Sequence, residues 1–210
     1  MRAMPVESPA RLRRREDVHT RLLDAGVFCF QHLGITQTTM DDVIRTAGVP
    51  RTTAYRHVGT KNDLIAAVVY REWNRFLERL DKRLARMTSV EDALVEGLML
   101  SIDECRDSEI MAAAFGVEDM VAIHASTAPH QDEWFLSFVE FMSQRLLPAR
   151  QAGLIRSDVS DADITEWAMR TIVSFASMGD VQHRGRAERR EHLRRMFLPA
   201  VMAGPGRGAV

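Results

Sequence analysis

An all-α protein is predicted by three observations. Apolar residues recur at steps of three and four through almost the whole chain, no segment sustains a two-residue alternation, and no Asn-Gly pair marks a hairpin. The 210 residues, 46% hydrophobic and 27% charged, suffice for a real core in one or two soluble domains. No run approaches the roughly 18–20 apolar residues of a membrane span. The opening MRAMPVESPARLRRRED is charged without an apolar stretch, so no secretory signal is expected and a cytosolic protein is. Cys29 and Cys105 each sit in an apolar helical pattern and read as buried thiols.

The elements follow in order. Residues 1–13 read as a flexible basic arm carrying Arg11 and Arg13, continued by Arg14 and Arg15. A first helix is expected from Arg14 to His32, burying Val18, Leu22, Ala25, Cys29 and Leu33 on one side, and Gly34 ends it. Thr38 or Thr39 then opens a second helix, because Asp41 or Asp42 falls three positions on and completes a capping box. It lasts to Ala47, where Gly48 breaks it. Pro50 suits the first turn of a third helix over Arg51 to Val58, ended by Gly59-Thr60. Two short helices joined by a three-residue turn with a glycine have the spacing of a helix-turn-helix.

Charge gives that unit a partner. Residues 1–61 hold ten Lys/Arg against six Asp/Glu, whereas the rest holds 18 against 23, so the basic excess belongs to the first third and points to a polyanion. One helix fits the DNA major groove if its outward side chains form hydrogen bonds. Arg51 and Arg56 suit guanine edges or phosphates, Thr52 and Thr53 suit a base edge or a thymine methyl, and Tyr55 and His57 suit phosphate oxygens. Ala54 and Val58 face inward. Lys61 opens the next helix, where backbone dipole and ammonium together favour a phosphate.

The stretch RLLDAGVFCFQHLGITQTTMDDVIRTAGVPRTTAYRHVGTKNDL, from Arg21 to Leu64, resembles the DNA-binding domain of the TetR family of bacterial transcriptional regulators. Ala25, Phe30, Gly34, Thr39, Asp42, Ala47-Gly48-Val49, Tyr55, His57, Lys61 and Leu64 carry the resemblance. Gly26, Ile44 and Val58 stand where the family usually has alanine, alanine and phenylalanine, and Pro50 stands in place of a frequent serine cap. The resemblance implies a reading head over residues 14–60 that touches double-stranded operator DNA through Thr38, Thr39, Pro50, Arg51, Thr52, Thr53, Tyr55, Arg56, His57 and Lys61. It also implies a larger helical domain, residues 61–204, that binds a small effector and dimerises, leaving 205–210 as a tail.

The remaining sequence fits that layout. A long helix is expected from Lys61 to Met87, then one opened by Ser89 and Asp92 that buries Leu94, Leu98, Ile102 and Cys105. Short helical pieces follow to Ala125, ended by Ala128-Pro129. Gln131 to Ala152 carries an aromatic face interrupted late by Pro148. Ser160 and Asp163 cap a helix from Asp161 to Asp180 that is apolar on nearly every side, and a last helix is expected from Glu188 to Met202. The effector pocket that the resemblance implies is assigned to Trp73, Phe76, Met99, Ile102, Phe115, Trp134, Phe138, Met142 and Met169. A helix greasy all round must be covered all round, so a subunit interface is assigned to Ile164, Ala168, Ile172, Val173, Phe175 and Ala176, with Leu193, Phe197 and Val201 beside them.

Other readings have less behind them. A helical enzyme would need a nucleophile with its base, paired carboxylates or a metal set, and the sequence has no G-x-S-x-G, H-E-x-x-H or phosphate loop. His124 and His130, with Asp132 and Glu133 nearby, lie across a helix break, so no metal and no cofactor is expected. The arginine-rich stretch between His183 and His192 reads as a solvated helix start. A regulator governed by a protein partner instead of a small molecule is the alternative that keeps the DNA-binding head.

Overall fold

The computed structural model describes residues 9–108, 110–112, 131–178 and 185–204. Three helices form the head: α1 (Pro9–Leu33), α2 (Met40–Ala47) and α3 (Arg51–Val58). A long α4 (Lys61–Leu84) leads into α5 (Val90–Asp107), α6 (Gln131–Gln151), α7 (Asp161–Met178) and α8 (Arg186–Val201). The all-α reading holds. Among the described residues the only β-like feature is one isolated antiparallel bridge, Ile155 with Met202, and no helix is long and apolar enough to cross a membrane.

Helix ends are set by local chemistry. Thr39 caps α2 and is answered by Asp42, and Gly48 closes the helix at φ 61°, a left-handed conformation in which an L side chain is strained. Thr60 and Asp63 make the same reciprocal cap for α4, and Ser160 and Asp163 for α7. The expected box at Ser89 is half formed: its hydroxyl takes the Asp92 N–H, but turns its proton to Glu91. Arg150 of α6 donates to Asp161 at the start of α7 and to the Val159 carbonyl, tying down the intervening turn.

Several boundaries differ from expectation. α1 begins at Pro9, so residues 9–13, expected in a flexible arm, continue the helix. Leu33, placed on the buried stripe, is exposed, because the helix ends there and Gly34 turns the chain away. α4 stops at Leu84, since the chain turns at Ala85 and Arg86 before Ser89 opens α5. Pro148 lies inside α6 only three residues from its end, so the hydrogen bond it cannot donate is lost close to where the helix stops. The expected pieces after residue 112, Phe115, His124, His130 and the stretch around His183 lie outside the described residues.

Three apolar clusters pack along the chain, and α4 touches each of them. One gathers Leu22, Cys29 and Phe30 of α1, Val43 of α2, Ala54 and Val58 of α3, and Leu64, Ile65, Val68 and Val69 of α4. Gly26 permits this approach: a Cβ there would meet the Val68 side chain at 3.1 Å. A second joins Val95, Met99 and Ile102 of α5 to Ile164, Ala168 and Ile172 of α7 and Leu193, Phe197 and Val201 of α8. A third cluster of Phe76, Leu77, Leu80 and Phe138 lies between them, and Trp73 packs against all three. Burial of this kind contributes on the order of 25 cal/mol per Å2 of apolar surface.

Candidate nucleic-acid interface and cavity

The outward face of α3 is polar because its two apolar residues are used inside. Ala54 and Val58 are buried against α1 and α4, which leaves Arg51, Thr52, Tyr55 and Arg56 exposed and Thr53 and His57 half-exposed. The Arg51 guanidinium donates to Asp41 of α2 at 2.5 Å and lies 5.5 Å from the centre of the Tyr55 ring. That hydrogen bond pushes the Arg51 pKa further up, so the residue is a fixed cation. Pro50 is exposed at the N-cap and supplies no side-chain cap, as its place in the sequence implied.

The flanking residues divide. Thr39 is exposed, and its backbone N–H and hydroxyl both donate to Asp42. These bonds hold the Asp42 carboxyl below the ordinary range, the side-chain bond first and the backbone bond second. Thr38 is only 1% exposed and its hydroxyl donates to the Gly34 carbonyl at 2.8 Å, so its assignment to the DNA face is corrected. It locks the loop between α1 and α2 instead. The Lys61 ammonium is half-buried and donates to the Thr36 carbonyl at 2.8 Å, which holds the start of α4 beside that same loop.

One positioning residue escaped sequence reading. Arg21 of α1 donates to the Ala47 carbonyl at 2.6 Å, and so anchors the end of α2 where the tight turn begins. No helix periodicity marks a side chain that reaches 26 positions along the chain.

Behind α4 lies a partly open cavity of about 330 Å3 lined by α4, α5, α6, α7 and α8. Leu80, Leu84, Leu94, Leu98, Phe138, Phe141, Met142 and Leu146 line it, and Asp81 and Arg145 are its only charged lining residues among those described. Of the residues assigned to an effector pocket, Phe138 and Met142 line it. Trp73, Phe76, Met99, Ile102, Trp134 and Met169 do not. Met99 and Ile102 are fully buried in the α5–α7–α8 core, Phe76 and Met169 belong to the cluster beside α4, and Trp134 stacks on Tyr70 with ring centres 5.8 Å apart.

The expected interface residues divide in the same way. Ile164, Ala168, Ile172, Leu193, Phe197 and Val201 are fully committed to the core within one chain, and Ala168, Ile172 and Phe197 face the cavity. Val173, Phe175 and Ala176 are half-buried. The apolar surface that faces outward belongs to Trp167, Met178 and Met196, with Phe175 and His192 edge to face between α7 and α8.

A polar helix held out by a three-helix head, on a helical body with an apolar cavity, is the arrangement of a helix-turn-helix DNA-binding transcriptional regulator. Residues 22–68 match the family described as bacterial regulatory proteins, tetR family. It is 24% identical over 147 residues to the HTH-type transcriptional regulator UidR of Escherichia coli K12, covering 70% of this chain and 74% of UidR. A crystal structure of a TetR-family transcriptional regulator from Pectobacterium atrosepticum has the same fold, with a TM-score of 0.72 at 19% identity over 95% of this chain and 100% of that one. SmeT, the repressor of the Stenotrophomonas maltophilia multidrug efflux pump SmeDEF, also shares it, with a TM-score of 0.59 at 21% identity, covering 89% of this chain and 93% of SmeT.

Proposed function

We propose that this regulator is a homodimeric repressor that holds a short palindromic operator and releases it when a small, mainly apolar molecule enters the cavity. The observation that carries the reading is the double use of α4, whose first half completes the head's core and whose second half walls the cavity. A ligand that shifts Leu80 or Leu84 therefore pushes on the helix that positions α3. SmeT, of the same fold, is the repressor of a multidrug efflux pump.

In this reading Thr39, Pro50, Arg51, Thr52, Thr53, Tyr55, Arg56, His57 and Lys61 meet DNA, and Trp167, Phe175, Met178 and Met196 pair the two copies. The two α3 helices must then sit about one duplex turn, roughly 34 Å, or a multiple of it apart, and an effector need favour the mis-spaced state by only a few kcal/mol. Selection of bound fragments from a random duplex pool tests this. Two inverted half-sites are expected, with centres near 10 base pairs or a multiple apart. A single unrepeated half-site would overturn the dimeric reading.

A further inference from the structure

Asp81 of α4 and Arg145 of α6 both line the cavity and are joined by an ion pair. Arg145 is committed to the interior. Its side chain is 25% exposed, its guanidinium lies 3.6 Å from the centre of the Phe141 ring, and one terminal nitrogen donates to the Phe141 carbonyl at 2.8 Å. Its Nε is buried and donates to nothing among the described residues. Asp81 is placed differently, 52% exposed, so water can solvate its carboxylate when the arginine leaves.

The pair is therefore unequal. A buried donor without an acceptor carries a desolvation cost that the right ligand removes, whereas Asp81 gives up its partner to solvent cheaply. A planar guanidinium takes a carboxylate through two parallel hydrogen bonds, and a single cation among the lining residues suits one negative charge better than a phosphate dianion. The other walls are mainly apolar, among them Leu84, Leu98, Phe138 and Met142, with the hydroxyl residues Thr88, Ser89 and Ser101 the remaining polar lining, and they suit a mainly apolar body. At about 30 Å3 per water-sized group, 330 Å3 holds on the order of eleven non-hydrogen atoms.

We propose that the effector is an apolar molecule of this size with a terminal carboxylate, and that Arg145 exchanges Asp81 for it. The inference rests on the reading of the cavity as the effector site. The exchange also frees α4 from α6, because the carboxylate given up belongs to the helix that positions the head.

Decanoate, decanol and decyltrimethylammonium, each below its micelle concentration, separate the possibilities on the full-length chain by calorimetry and thermal shift. Decanoate is expected to bind about tenfold or more tighter than decanol. Arg145→Met should bring decanoate down to the level of decanol while decanol is unaffected, Arg145→Lys should restore part of the difference, and Asp81→Asn should tighten decanoate alone. Should Arg145→Met fail to fold, the lysine and asparagine variants still decide. Equal binding of decanoate and decanol, or tighter binding of the ammonium, would overturn the carboxylate proposal and leave the cavity standing as an apolar effector site. Failure of all three probes would overturn the effector site as well.

Discussion

Arg51, the first residue of the outward helix α3, is held by Asp41 of the preceding helix at 2.5 Å, so the cation best placed for DNA is already paired with an acid of its own chain. Both side chains are more than half exposed, and an exposed pair of this kind contributes little to stability. A phosphate or guanine edge can therefore take the guanidinium from Asp41 at small cost.

Asp41→Asn is expected to tighten binding to every duplex, operator or not, because it removes a negative charge and frees Arg51. Arg51→Ala should cost on the order of 1–3 kcal/mol of operator binding if the side chain reads a base. Fluorescence anisotropy on operator and random duplexes checks both. Weaker binding in Asp41→Asn would mean that the acid orients the arginine for DNA.

Lys61→Ala is expected to weaken all sequences alike and to lower the salt slope by about one, as the loss of a single phosphate contact does. The lysine also holds the Thr36 carbonyl, so the variant's helical signal and melting temperature must be compared with wild type. A loss confined to operator DNA would assign Lys61 a base contact instead.

Trp167→Glu places a charge on the outward face of α7, where the indole is 46% exposed within one chain. It is expected to split the proposed dimer and lower operator affinity with little loss of fold. Ile172→Glu, fully inside, should unfold the body. Light scattering with circular dichroism tells these apart, and a Trp167→Glu variant that stays dimeric would move the interface elsewhere.

Bonds from the Ser160 side chain and then its backbone N–H hold the Asp163 carboxyl below its ordinary value of 3.8. A carboxyl depressed in the folded state contributes stability that is fully present above its unfolded value and is lost as pH falls through the folded one. Ser160→Ala should therefore destabilise the fold at neutral pH by removing the cap, and the difference from wild type should shrink below pH 3.8. Denaturant titrations at pH 7 and at acid pH measure it; a pH-independent difference would exclude the carboxylate's part.

The head was legible because its signals are local. A cap at Thr39, a glycine at 48 and the 54/58 inward pair each need only neighbours to be read. Thr38 was misread because two adjacent threonines both satisfy the capping pattern. One step along the chain decides which of them turns inward to Gly34. The body was less legible for a different reason. Periodicity shows that α5 and α7 have apolar faces, but not which element covers each, so Met99 and Ile102 read as pocket where α8 buries them, and Ile164 and Ala168 read as interface where α5 does. Arg145 gave no signal at all, since its partners lie on its own backbone and on a helix 64 positions earlier.

The apolar cluster under α1, α2 and α3 also takes in Ile110 and Met111, beyond the end of α5. The reading head is therefore not a detachable module. A fragment cut at residue 60 would leave Leu22, Val43 and Ala54 without Leu64, Val68 and Met111 against them, and melting of the whole chain should be one cooperative event and not two. Swapping this head onto another regulator's body, a common way to build chimeric sensors, would need the junction placed well along α4, with the 110–111 contact supplied by the host.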